Sequence, residues 1–140
     1  SNEPAPSSDT GGKSLKPAST KQVIARGQTL WSLANQQYDN PYLWPWIYDE
    51  NKSAIENPDL IQTGQTLALP LPRGYRGGLS TDDSLQVAIG YIETYQWYKE
   101  QGYSRAKYYL YAARMYNGSV FEYTDISIDD SDMAFANRAR

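Results

Sequence analysis

Between Lys21 and Pro72 the chain is cut into short pieces by turn-forming residues, and that punctuation constrains the fold more than any bulk property. Gly27-Gln28, Asp39-Asn40-Pro41, Asn57-Pro58-Asp59 and Thr63-Gly64-Gln65 each favour a turn, and Pro70 and Pro72 close the run. Lys21 to Arg26 (KQVIAR) reads as a strand centred on the β-branched Val23 and Ile24. Thr29 stands where a helix N-cap belongs, and Leu30, Leu33 and Ala34 share one face of a helix from Leu30 to Tyr38. A second helix follows from about Trp44 to Asn51, with Pro45 in the first turn, where a missing N–H costs little. Thr66 to Leu69 (TLAL) is a second strand. A lone strand pair is marginal in water, so both helices must pack on one face of it. The expected class is α+β. Trp31, Trp44 and Trp46 are expected to supply buried area, with Trp46 the exception, because Trp44 and Trp46 cannot both face inward on one helix turn.

The flanks differ in character. Residues 1–20 are rich in Ser, Pro, Gly, Ala and Lys, with Leu15 as the only large apolar side chain, so a flexible tether is expected there. Gly74, Gly77 and Gly78 mark a hinge at 73–79. Ser80 then offers a cap, with Asp82 and Asp83 in the first turn, and Leu85, Ala88, Ile89, Ile92 and Tyr95 recur at helical spacing to about Gln101. Gly102 separates this helix from another, Ser104 to about Tyr116, striped by Ala106, Tyr109, Leu110, Ala113 and Tyr116, and Asn117-Gly118 stops it. Residues 80–118 thus predict an antiparallel helical hairpin. Tyr91, Tyr98, Tyr108 and Tyr111 fall off its stripes; they cover the preceding unit or offer an aromatic surface to a protein partner. Residues 119–140 are expected to be an acidic, partly disordered tail, with Val120 to Ile128 a strand or extended.

Composition excludes more chemistry than it suggests. Among 140 residues there is no Cys and no His, which removes disulfides, thiolate nucleophiles, Cys/His zinc sites and histidine-based triads. Thirteen basic against sixteen acidic residues give a net charge of −3, against nucleic-acid binding, which needs clustered Lys/Arg. No run approaches the roughly 20 apolar residues of a membrane span, and no export-signal pattern opens the sequence. The chain starts at Ser1, not Met, so a signal upstream of it is compatible with the sequence. Asp49-Glu50 and Asp82-Asp83 are adjacent pairs whose side chains diverge by about 100° on a helix, unlike the converging carboxylates of a glycosidase. Asp125, Asp129, Asp130 and Asp132 lack the glycine bend and terminal Glu of a calcium loop. No catalytic residue, metal site or cofactor is expected.

The run Gly27-Gln28-Thr29-Leu30-Trp31-Ser32-Leu33-Ala34, then Asn40-Pro41-Tyr42-Leu43-Trp44-Pro45, Ile47 and Asn51, then Asn57-Pro58-Asp59-Leu60-Ile61 and Gly64-Gln65-Thr66-Leu67 with Leu69-Pro70, resembles a LysM domain. The asparagine-proline-tyrosine-leucine-tryptophan-proline stretch is most similar to LysM domains of bacterial envelope proteins. The resemblance implies a βααβ fold, two helices on one side of a two-stranded antiparallel sheet, over residues 21–72, followed here by the C-terminal hairpin. It also implies non-catalytic binding of N-acetylglucosamine-containing glycan (peptidoglycan or a chitooligosaccharide) and a place in the bacterial cell envelope. Carried onto this sequence, one wall of the glycan groove is Gly27, Gln28, Thr29 and Leu30; the other is Asn57, Pro58, Asp59, Leu60 and Ile61. An N-acetyl group presents one donor, one acceptor and a methyl, which suits backbone amides and carbonyls beside an apolar notch, and Leu30, Leu60 and Ile61 are candidates for that notch. Gln28 stands where many members carry Asp, losing the charge. The alternative is a protein-interaction scaffold with an idle groove and a Tyr-rich helical partner surface.

Overall fold

A computed structural model describes residues 18–139; the expected tether falls outside that range except for its last residues, of which Ser19 and Thr20 enter the first strand. Strands β1 (Ser19–Val23) and β2 (Thr66–Pro70) pair antiparallel in a two-stranded sheet, with Ser19 opposite Pro70 and Val23 opposite Thr66. Between them lie α1 (Leu30–Tyr38), a single 3-10 turn (Pro41–Leu43) and α2 (Trp44–Glu50). Alternation along β2 sends Leu67 and Leu69 to one face, and there they meet Leu30, Leu33 and Ala34 of α1, Ile47 and Tyr48 of α2, and Ile24 and Ile55. Both helices therefore cover the same side of the sheet, the βααβ arrangement expected from the sequence.

Local chemistry accounts for the boundaries. Thr29 Oγ1 accepts from Ser32 N at 3.0 Å while Thr29 N donates to Ser32 Oγ at 2.9 Å, a reciprocal cap that starts α1. Asp39 ends it in the left-handed region (φ 55°). Asn51 follows α2 and ties it to the sheet: its amide donates to Ile47 O and Ala68 O, and its carbonyl accepts from Ala68 N. β1 starts and ends earlier than Lys21 to Arg26. Ile24 N donates to Gln65 O and Gly64 N donates to Ile24 O, both at 2.8 Å, so the turn before β2 supplies no pairing partner beyond Ile24. Ile24 enters the core and Val23 faces solvent.

The second half docks on the first. After a tight loop at Gly74–Gly78, α3 (Thr81–Glu100) and α4 (Lys107–Asn117) form the expected hairpin. Asp83, read from the sequence as helix-start charge, is fully buried and also fastens the linker: its carboxylate accepts from Ser80 N, Arg73 N and the Arg73 guanidinium. α3 passes so close to α2 that a Cβ on Gly90 would lie 2.2 Å from Pro45 O. Trp46, with 0% exposure, joins Leu43, Val87, Tyr91, Ile92 and Leu110 in a second apolar cluster between the halves. The expectation that Trp46 would escape burial is thus corrected. α2 turns Ile47 and Tyr48 to the sheet and Trp46 to α3, so nearly its whole circumference is covered. The same sandwiching widens the buried face of α3 to Val87, Gly90, Tyr91, Thr94 and Tyr98, beyond the stripe read from the sequence.

The C-terminal stretch also departs from expectation. Instead of a strand and a solvated acidic tail, residues 120–136 hold α5 (Val120–Tyr123) and α6 (Asp130–Ala136). Asp129 caps α6 by accepting from Ser131 N and Asp132 N, and the buried Asp132 accepts from Tyr95 OH and Lys99 Nζ, each at 2.8 Å. These acidic residues serve as a cap and a tie, with Val120 and Ala136 buried beside α3 and α4. No described helix is long and apolar enough to cross a membrane.

Candidate functional site

The two loops singled out by sequence lie at one end of the sheet. The bonds between Ile24 and the Gly64-Gln65 turn join the chain just before the first loop to the chain just after the second. Leu30 of the first loop and Ile61 of the second pack on the same core.

In the first loop Gly27 takes φ 83°, a left-handed turn that favours glycine. The Gln28 side chain closes that turn, accepting from Ala25 N at 2.7 Å and donating to Gln36 Oε1 at 3.3 Å. Thr29 is occupied as the cap of α1. Leu30 is only 2% exposed, so its side chain serves the core and only its backbone is left to the loop.

The second loop is a turn within a turn. Asn57 Oδ1 accepts from Asp59 N at 2.8 Å and Asn57 O accepts from Leu60 N at 2.9 Å. Pro58 is buried and Ile61 half-buried, while Leu60 stands 70% exposed at the loop's tip. The exposed apolar surface between the loops therefore comes from Leu60 and part of Ile61, without Leu30.

Asp59 connects this loop to the hairpin, its Oδ1 accepting from Tyr98 OH at 2.6 Å. Burial, and then this hydrogen bond, hold the Tyr98 phenol protonated well above the usual tyrosine range. Lys52 and Glu93 make a second bridge from the same loop region to α3.

Beside Asp59 a cleft of about 810 Å³ opens between the two halves of the molecule. Its depth is aromatic: Trp44, Tyr91, Tyr98 and Tyr109. Tyr98 and Tyr109 stack at 5.1 Å between centroids, and Trp44 meets Tyr109 edge-on at 6.2 Å. Exposed margins come from Trp31 and Tyr42 on one side, themselves in edge contact at 5.0 Å, and from Tyr103, Arg105 and Tyr108 on the other. Sequence reasoning missed this cleft. It assigned Trp31 to the core, whereas the structure leaves it 47% exposed at the rim; Trp44 packs against both apolar clusters as expected. It left Tyr98 and Tyr108 between two roles; no local pattern joins residues so distant in the chain. The signal present was the number of tyrosines off the helical stripes. Among the described residues no group of three or more acidic side chains converges as a metal site would require.

The fold and its paired loops place this molecule among small α+β proteins with a βααβ unit, extended here by a docked helical hairpin. The sequence is 35% identical over 60 residues to the potassium binding protein Kbp of Escherichia coli O6:H1, covering 41% of this chain and 40% of that protein. It is 40% identical over 48 residues to the resuscitation-promoting factor Rpf of Micrococcus luteus, covering 34% of this chain and 21% of that one. The chain thus spans well under half of either relative. No protein-family model and no solved structure matches it.

Proposed function

We propose that this protein is a non-catalytic glycan-binding module of the bacterial cell envelope, recognising N-acetylglucosamine-containing glycan such as peptidoglycan between its two paired loops. The observation that carries the reading is the joining of Gly27–Leu30 and Asn57–Ile61 at one end of a βααβ unit, with Leu60 exposed between them. The LysM resemblance of those loops supplies the ligand class. A single shallow site of this kind binds weakly, at roughly micromolar to millimolar Kd, because a few sugar contacts must outweigh association entropy. Sedimentation with insoluble peptidoglycan is the test. Enrichment of the protein over a Gly27→Trp variant, with no soluble sugar released, supports the reading; equal recovery of the two overturns it.

One observation favours a second reading, a scaffold with an idle groove: the Gln28 side chain is already engaged at both ends by Ala25 and Gln36. The aromatic hairpin surface open to a protein partner is smaller than the sequence implies, since Tyr91 and Tyr98 are buried. Amide NMR during titration with chitotetraose separates the two. Shifts confined to Gly27–Leu30 and Asn57–Ile61 support glycan binding, and silence there supports the scaffold.

A further inference from the structure

The floor of the aromatic cleft belongs to the core that joins the two halves, but its rim does not. Trp31, Tyr42, Tyr103 and Tyr108 stand 47%, 60%, 53% and 50% exposed around one concavity. Large aromatic side chains left in water around a single hollow mark a binding surface more often than a solvated face does. The volume of about 810 Å³ lies within the range of small-molecule sites.

The chemistry of the cleft narrows the occupant. Flat aromatic faces on both margins suit the C–H faces of a pyranose ring, whose hydroxyls then point to the polar rim. Arg105 provides that rim with a cation. Its guanidinium lies 5.7 Å from the Tyr108 ring centre, and among the described residues no carboxylate pairs with it. Stacking on Tyr108 holds the guanidinium at the margin, where its planar fork is available for a carboxylate. Asp59, whose Oδ1 accepts from Tyr98 OH, lines the cleft at the second loop, so the ligand's carboxylate is assigned to the Arg105 margin. The cleft also adjoins both expected walls: Asp59 belongs to one, and Trp31 follows Leu30 of the other.

The geometry points to a second sugar subsite, built jointly by the βααβ unit and the hairpin, that takes a pyranose bearing a carboxylate on the glycan bound by the paired loops. The ring stacks between the Trp31 and Tyr108 margins, and its carboxylate meets Arg105. This rests on the glycan-binding reading and adds to it a preference for acidic over neutral chains.

Titration of the full chain with two probes tests the two separately: neutral chitotetraose, and the soluble disaccharide of N-acetylglucosamine and N-acetylmuramic acid with its lactyl carboxylate free. Arg105→Ala is expected to weaken the acidic disaccharide about 10-fold while leaving chitotetraose within 2-fold, a loss of the size expected for one charge-assisted pair. Trp31→Ala is expected to weaken both the disaccharide's affinity and its chemical shifts at Tyr103 and Tyr108. Raising salt from about 50 to 500 mM is expected to narrow the gap between probes. If chitotetraose shifts the loops while Arg105→Ala leaves the disaccharide unchanged, the subsite falls and glycan binding stands. If the disaccharide shifts the cleft while both loops stay silent, the cleft takes the acidic sugar alone, and both the paired-loop groove and the joint site fall. Silence with both probes overturns both.

Discussion

Gly90→Ala is the sharpest probe of how the two halves meet. In a helix interior this change ordinarily stabilises by about 0.8–1 kcal/mol, because alanine loses less backbone entropy than glycine. Here the new Cβ would lie 2.2 Å from Pro45 O, 2.6 Å from Pro45 C and 3.1 Å from Trp46 N, all backbone atoms that cannot rotate away. An ordinary C···O contact is about 3.3–3.6 Å, so α3 must retreat from α2 by roughly 1 Å. Overpacking of this kind costs about 1–3 kcal/mol, and a clash with fixed backbone belongs at or above the top of that range. The clash outweighs propensity, leaving a net loss of about 2 kcal/mol. For a chain of this size that lowers Tm by roughly 6–12 °C. Thermal unfolding followed by far-UV circular dichroism measures the shift, and tryptophan fluorescence reports loosening around Trp46. An unchanged or raised Tm would refute the close approach of α2 and α3, and with it the shared burial of Trp46.

Asn51→Ala leaves the N–H and carbonyl of Ala68 without their partners, and is expected to cost about 2–3 kcal/mol in urea unfolding with the m-value unchanged; a loss below about 0.5 kcal/mol would contradict that bridge. Asp132→Ala removes the acceptor of Tyr95 OH and of Lys99, so hydrogen exchange is expected to accelerate in α6 well before α1, and uniform acceleration would count against a local tie. Burial holds the phenols of Tyr38, Tyr91 and Tyr98 well above the ordinary tyrosine value of 10.0. The folded state therefore keeps protons that the unfolded chain releases, so stability is complete below about pH 10 and falls as pH rises past it. Urea midpoints between pH 8 and 11.5 measure this; a flat profile with every tyrosine ionising near 10 in the folded protein would contradict it.

Much of the first half was legible because its signals are local. Thr29 as a cap, Asp39-Asn40-Pro41 as a stop and Pro70 as an end each act within a few residues, and the structure places all three where the sequence implied. The register of β1 was less legible, since it depends on where Gly64 and Gln65 leave off pairing, forty residues away in the chain. Trp46 was misjudged because its burial comes from α3, which helical periodicity within α2 cannot reveal. α5 and α6 were missed for another reason: Asp129 and Asp132 look like solvated charge until a backbone to cap and a Tyr95-Lys99 pair to meet are known. The loops of the candidate site were readable as motifs. The cleft was not, because Trp31, Asp59, Tyr98 and Arg105 come from four separate segments that only docking brings together.

One helix, α2, is covered by the sheet core on one side and by the hairpin on the other. Grafting residues 18–72 alone onto another carrier would strip the cover from Trp46 and Leu43 and leave a sticky indole-lined scar on the transplant. The unit that can travel intact, by engineering or by gene shuffling, is therefore the βααβ segment together with its hairpin and the α5–α6 stretch docked on it.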